Sequence, residues 1–196
     1  MISIEGNIGA GKSFLCGLLQ AANLSVASEP VNDWILGNNN VLAAFYSNPK
    51  KYACLFQTLV LRSRVEQVRT KPTIVERCVH SDKIFATVQH ELGNMDDVEY
   101  AAYLYQYEQA VKDTPAISKY IYVKTPVNIC LQRIASRNRE EENGGVPGWY
   151  VERLQQAHDN WLTGNPNVLV LDGAEDWNNP KLASQVVETV KAFYNL

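Results

Sequence analysis

The chain has little from which to build a disulfide or zinc framework. Its four cysteines, Cys16, Cys54, Cys78 and Cys130, are scattered without a Cys-x-x-Cys pair, and its three histidines, His80, His90 and His158, are equally dispersed. Reduced thiols in a cytoplasmic protein are therefore expected rather than a stapled or metal-bound fold. Apolar runs fall short of a membrane span, so no membrane association is expected. Basic residues are not in excess: 18 Lys and Arg against 21 Asp and Glu leave a formal charge of −3. A general nucleic-acid binder is not expected on that balance, though a local basic pocket is compatible with it. No Asn-Lys-x-Asp tetrapeptide occurs, which removes the usual guanine-reading signal of a GTPase. Strand-like residues begin at Ile2, so no leader is expected ahead of them. Without an internal repeat, linker or low-complexity tract, residues 1–196 are expected to form one domain.

What is present alternates between two periods. Ile2 to Glu5 is short and β-compatible. Residues 12–22 read as a helix with Phe14, Leu15, Leu18 and Leu19 on one stripe. Residues 24–28 are a second strand, followed by a loop that enters a short helix. Residues 50–69 form a long helical pattern with no internal Gly or Pro, and 73–78 a third strand rich in β-branched residues. Helices are expected near 81–91 and 96–113, a strand at 119–124, and a helix to about Arg137 with Thr125 as N-cap and Pro126 in its first turn. A charged, glycine-containing loop, a helix near 149–163, a strand at 167–172 and a helix at 180–194 complete the chain. Strands alternating with helices imply an α/β fold with a mainly parallel sheet of five strands flanked by helices.

The strongest signal is Gly6-Asn7-Ile8-Gly9-Ala10-Gly11-Lys12-Ser13, which fits G-x-x-x-x-G-K-[ST] without a mismatch. Glycines let backbone N–H groups curl around phosphate oxygens, and a helix N-terminus adds its positive end. Lys12 would reach the β- and γ-phosphates and the Ser13 hydroxyl would bind Mg²⁺. The alternative is an ordinary strand-to-helix turn. The motif says nucleoside triphosphate without saying which reaction.

Other candidates gather at positions where a doubly wound sheet presents its strand ends. Glu29, just after the second strand, is placed to take a proton from an attacking hydroxyl, or else is a solvated glutamate at a helix start. Gln57, Val60, Leu61 and Arg64 share one helix face suited to a planar polar ligand, or form a boundary stripe whose arginine reaches water. Glu76 and Arg77 end the third strand, where a carboxylate can hold Mg²⁺ and an arginine can neutralise phosphate; a surface ion pair is the alternative. Arg133 and Arg137 share a helix face and lead with Arg139 into the acidic loop, as a lid closing over a phosphoryl group or as a solvated helix end. Trp34, Phe45, Tyr46 and Phe56 read as core, and His80 and Cys78 as structural.

These pieces occur together in the order of a known family. With IEGNIGAGKS, EPVNDW, FQTLVLRSR, ERCVHSD, RIASRNREEENGGVP and VLDGAEDW spread over nearly the whole chain, the sequence resembles the deoxynucleoside kinases, in their deoxycytidine/deoxyguanosine kinase-like branch. The resemblance implies a P-loop kinase fold with a short arginine-rich lid, ATP or another nucleoside triphosphate as donor, Mg²⁺, a deoxynucleoside acceptor, and a homodimer formed through helices, with 50–69 as a candidate face. It implies Glu29 as the base at the sugar 5′-hydroxyl, Trp34 as a pocket wall, Tyr46 and Glu142 at the 3′-hydroxyl, and Gln57 on the base edge. Glu76 is implied as the Mg²⁺-associated carboxylate, Arg77 as a phosphate- or base-orienting arginine, and Arg133, Arg137 and Arg139 as lid cations. Glu175, Asp176 and Trp177 resemble the loop against the donor's base. Arg64 paired with Asp82 goes, in the family, with cytosine or purine acceptors, because an arginine near the base 5-position crowds a thymine methyl.

The sequence also departs from the family pattern. Cys78 stands where serine is usual, Val60 is bulkier than the deoxycytidine kinase pattern, and Gly145 resembles an insertion. The stretch after Asp82 is one residue short, which leaves open whether Phe85 or Ile84 packs on the base. The resulting expectation is ATP-dependent 5′-phosphorylation of deoxynucleosides, deoxycytidine or purine deoxynucleosides ahead of thymidine, in nucleotide salvage. The rivals are a nucleoside monophosphate kinase, which would need cations near Glu29, and a nucleotide-binding switch or catalytically silent subunit.

Overall fold

The computed structural model describes residues 1–137 and 146–195. Arg139, Glu142 and Gly145 of the expected lid lie outside the described residues. Along the chain, β1 (Ile2–Glu5) feeds α1 (Lys12–Ala21), and β2 (Val26–Ala27) runs into a 3-10 turn (Val31–Trp34). A hairpin of β3 (Ile35–Leu36) and β4 (Asn39–Asn40) then leads to α2 (Val41–Ser47) and α3 (Pro49–Gln67). β5 (Ile74–Glu76) precedes α4 (Val79–Glu91) and α5 (Asp97–Asp113). β6 (Lys119–Lys124) precedes α6 (Val127–Arg137) and α7 (Gly148–Leu162), and β7 (Val168–Asp172) precedes α8 (Pro180–Tyr194).

The main sheet has five strands in the order β2-β5-β1-β6-β7, every pairing parallel, as the alternation of strands and helices predicts. The register sets Ile4 beside Glu76 on one side and Ile121 on the other, so the carboxyl ends of β1 and β5 fall within one residue of each other. The loop after β1 and the Glu76-Arg77 corner after β5 are thereby forced together. Arg77 leaves the strand with φ 63°, which ends β5 after three residues.

Two apolar clusters flank this edge. One joins Ile2, Ile4, Leu15, Leu19, Ile74 and Ile121 with residues of α7 and α8. The other joins Trp34, Phe45, Phe56, Val60, Met95 and Tyr103 beneath α2 to α5. Leu15 and Leu19 of the α1 stripe, both fully buried, contribute about 1.5–3 kcal/mol each by burial.

Three local expectations are corrected. Phe14 does not join the packed stripe of Leu15 and Leu19; it stands 43% exposed. Thr125 does not cap α6: its hydroxyl donates to the Ala10 carbonyl, and the Pro126 carbonyl accepts the first helical amide bonds, from Ile129 and Cys130. The β3–β4 hairpin and α2 have no counterpart in the sequence reading, although Gly37 (φ 61°) and the Asn40 N-cap, which accepts from the Ala43 amide, are their signals.

Candidate active site

The glycine loop is braced from behind. Gly6 has φ 145°, and a Cβ there would meet the Val123 carbonyl at 2.6 Å. Gly9 has φ 75°, and a Cβ there would stand 2.5 Å from the Cys130 carbonyl of α6. Only glycine fits between those backbones. The Asn7 side chain donates to the Val151 carbonyl at 2.9 Å and accepts from the Ile8 amide, tying the loop to α7. Gly11 enters α1 without a side-chain cap, so the first amides of that helix are left for an anion at its positive end. The Lys12 Nζ donates to the Asn7 carbonyl at 2.7 Å. Burial, then the Arg77 charge, lower the Lys12 pKa to about 8.

Across from the loop, four acids and arginines form one connected network. The Arg64 Nε lies 3.1 Å from both Asp82 oxygens, and its Nη2 donates to Glu29 Oε1 at 2.6 Å. The Arg77 Nε stands 3.3 Å from the same Glu29 oxygen. Glu29 Oε2 has no partner among the described residues, and the side chain keeps 19% exposure. Burial works to raise the Glu29 pKa, but Arg64, then Arg77 and Lys12, hold it down to about 2. Burial raises Asp82 to about 6 against the pull of Arg64. The Ser13 hydroxyl donates to Glu76 Oε1 at 2.7 Å, and Glu76 Oε2 accepts the Glu29 amide at 3.2 Å.

Loop and network face one cavity of about 480 Å³, within the range of small-ligand sites. Of the residues singled out in the sequence, it is lined by Ile8 to Ser13, Glu29, Trp34, Tyr46, Gln57, Val60, Arg64, Glu76, Arg77, Asp82, Phe85, Arg133, Arg137 and Glu175 to Trp177. Gly6 and Asn7 do not line it; they shape the loop. Gln57 is buried at the wall, and its amide has no hydrogen-bond partner among the described residues. Trp34 is fixed by its Nε1 donating to Ser63 Oγ at 3.1 Å and by an edge contact with Phe56. Arg133 reaches over the loop to donate to the Ala10 carbonyl at 3.0 Å.

The two α4 residues between which the spacing leaves a choice face different hollows. Phe85, one helical turn past Asp82, lines the cavity with the Arg77 guanidinium 4.6 Å from its ring, whereas Ile84 faces a separate hollow between α4 and α7. Phe45 and Phe56, read from the sequence as core, line the cavity as well, and sequence reasoning missed Phe14, Leu42, Tyr150 and Asn178, which also line it. Phe14 carried a signal, an apolar residue directly after the Lys-Ser pair; for the others no local pattern exists. The Ser13 hydroxyl and Glu76 carboxylate are hard oxygen donors, fitting Mg²⁺ with its remaining ligands from phosphate and water. No group of three or more His, Cys, Asp or Glu side chains able to cage a metal occurs among the described residues.

A glycine loop at a helix start, a buried lysine and a carboxylate lining the same cavity define a P-loop phosphotransferase. A family model described as deoxynucleoside kinase matches residues 2–195, and the chain belongs to that family. Among its relatives is a probable deoxycytidine kinase of Fowlpox virus, 38% identical over 84% of this chain and 72% of that protein. Deoxycytidine kinase 2 of Gallus gallus is 30% identical over 98% of this chain and 89% of its own length. A thymidine kinase of Ictalurid herpesvirus 1 is 29% identical over 94% and 83%. The protein is an enzyme of the deoxynucleoside kinase type.

Proposed function

We propose that the enzyme transfers the γ-phosphoryl group of ATP to the 5′-hydroxyl of a deoxynucleoside in nucleotide salvage, with Mg²⁺, and that deoxycytidine or a purine deoxynucleoside is accepted ahead of thymidine. The observation that carries the reading is the shared cavity, whose lining includes Gly9 to Ser13 together with Glu29, Gln57 and Arg64, with Glu76 bonded to both the Ser13 hydroxyl and the Glu29 amide. The triphosphate lies in the loop amides with Lys12 on its outer phosphates, and Arg133 and Arg137 with Arg139 close over it. Ser13 and Glu76 hold Mg²⁺, which when bound neutralises charge on the phosphate oxygens. Glu175 to Trp177 flank the donor's base.

On the acceptor side, the free oxygen of Glu29 orients the 5′-hydroxyl and receives its proton. A carboxylate held near pKa 2 is a weak base. That suits a loose transition state, in which positioning outweighs early proton removal. Arg77 stabilises the charge on the transferring group. Trp34, Val60 and Phe85 enclose the base, the unpartnered Gln57 amide pairs with its edge, and Tyr46 with Glu142 takes the 3′-hydroxyl. The Arg64–Asp82 pair makes a rigid polar edge where a thymine methyl would fall.

Competition among the four natural deoxynucleosides with ATP and Mg²⁺, read as 5′-monophosphate formed, tests the reading. Deoxycytidine or a purine deoxynucleoside should dominate. Thymidine dominance would overturn the specificity, and phosphorylation of monophosphates alone would overturn the acceptor class.

The four cysteines are free, which suits a cytoplasmic location. No helix among the described residues is long and apolar enough to cross a membrane. A homodimer through α3 and its neighbour α5 is supported by exposed Leu55, Val98 and Tyr105, and sedimentation reads it directly.

A further inference from the structure

The central strand of a parallel sheet is covered on both faces and normally carries an unbroken apolar run. β1 is central here, yet Ser3 and Glu5 both have 0% exposure. Side chains alternate along a strand, so Ile2 and Ile4 serve the core on one face while Ser3 and Glu5 share the other. A buried carboxylate at that position costs several kcal/mol unless it is matched by charge and hydrogen bonds. Such local violations mark functional positions more often than errors of folding.

Glu5 is matched only in part. Its Oε1 accepts from the Ser3 hydroxyl at 2.5 Å and from the Cys78 thiol at 3.1 Å, while its Oε2 is buried with no partner. The register pairs Ile4 with Glu76, so the residue that follows β5, Arg77, comes next to the end of β1, and its amide donates to the Ile4 carbonyl at 2.9 Å. Arg77 is also incompletely matched among the described residues: its Nη1 is buried without a hydrogen-bond partner, and the ion pair it makes is the 3.3 Å contact to Glu29. Glu29 is meanwhile gripped more closely by Arg64. Burial pushes the Glu5 carboxyl up, and the largest opposing influence is Arg77.

We propose that Glu5 is a positioning residue for Arg77, its carboxylate supplying a standing countercharge from beneath the sheet edge. The proposal rests on the kinase reading above. With Glu29 as its one countercharge, Arg77 would be pulled onto that carboxylate and would compete with the acceptor hydroxyl for it. With Glu5 behind it, Arg77 stays over Phe85 and shares its charge with the transferring phosphoryl group while Glu29 turns to the hydroxyl. Cys78 serves as a donor to Glu5, which gives that buried thiol a use that needs no reactivity.

Glu5→Gln keeps the size of the side chain and an oxygen for Ser3 and Cys78 but removes the charge. The expected result is a fall in kcat of about tenfold, with KM for the deoxynucleoside within about threefold. In an Arg77→Lys background the same change should cost less than about twofold, because the group through which Glu5 acts is already altered. An unchanged kcat, or an equal factor in both backgrounds, overturns the proposal. The ¹⁵Nε–¹H resonance of Arg77 gives a readout independent of turnover, and it should move in Glu5→Gln even if no deoxynucleoside proves to be a substrate. Ser3→Ala, which loosens Glu5 while keeping both charges, should shift that resonance in the same direction. A resonance unmoved in both variants overturns the link between Glu5 and Arg77, whatever the reaction.

Discussion

Replacing Arg64 by methionine removes one side chain and strands another. Arg64 is 1% exposed and Asp82 1% exposed, and Arg64 supplies both hydrogen bonds that Asp82 receives. Breaking a buried pair from one side leaves an uncompensated charge, at about 3–5 kcal/mol. Glu29 loses a partner as well, but it keeps Arg77 and partial exposure, so its share is smaller. For a chain of this size the melting temperature of Arg64→Met should fall by about 10 °C or more.

Arg64→Met with Asp82→Ala removes the stranded charge, and its loss should be about 1–2 kcal/mol, less than that of the single variant. The pH dependence has a definite sign. In the single variant the pull of Arg64 is gone and only the weaker one of Arg77 still opposes burial, so the folded pKa of Asp82 rises further above the unfolded value and the folded state binds the extra proton. That proton's stabilisation is present at low pH and is lost as pH rises through the folded value. Lowering pH from about 8 to about 5.5 should therefore narrow the gap between single and double variants. Urea denaturation at the two pH values measures it. A double variant less stable than the single one, or a gap that does not respond to pH, refutes the buried-charge argument.

The same double variant should shift relative rates toward thymidine in an acceptor competition, and unchanged ratios would remove the pair from base selection. Gly173→Ala should destabilise the fold by about 1–3 kcal/mol or more and weaken triphosphate binding. A Cβ there would meet Thr125 Oγ1 at 1.9 Å and the Ala10 carbonyl at 2.9 Å, and wild-type melting and nucleotide affinity would contradict this. Burial lowers the His158 pKa to about 3, so its neutral form is favoured in the fold. The stability it holds above the unfolded pKa of about 6.5 is lost as pH falls, at about 1.4 kcal/mol per unit. Wild type should lose about 2 kcal/mol more than His158→Gln between pH 6.5 and 5, and parallel slopes would contradict it.

The glycine loop was legible in the sequence because its residue types are dictated by backbone geometry at Gly6 and Gly9. Four of the five main strands were legible as short runs rich in β-branched or aromatic residues, and the two-residue β2 through its place between the first helix and Glu29-Pro30. The hairpin from Ile35 to Asn40 was not, since two-residue strands carry no period. Helical spacing placed Gln57, Val60 and Arg64 on one face, but no spacing could show that Arg64 holds Glu29, 35 positions away, and Asp82 at once. The phase of α4, which a one-residue shortening had left open, turns Phe85 rather than Ile84 to the cavity. Glu5 lay in plain view inside the first motif. That it is buried in the central strand beside the end of β5, with one carboxyl oxygen unpartnered among the described residues, became visible only when the register of β1 and β5 was known.

The central claim is that Glu29 acts on the acceptor hydroxyl at the mouth of the phosphate loop. Steady-state kinetics of Glu29→Gln with saturating ATP and Mg²⁺ test it most directly. The account predicts kcat lower by about 10²–10⁴, with KM for the deoxynucleoside within a fewfold of wild type. A variant that turns over at close to the normal rate would contradict it.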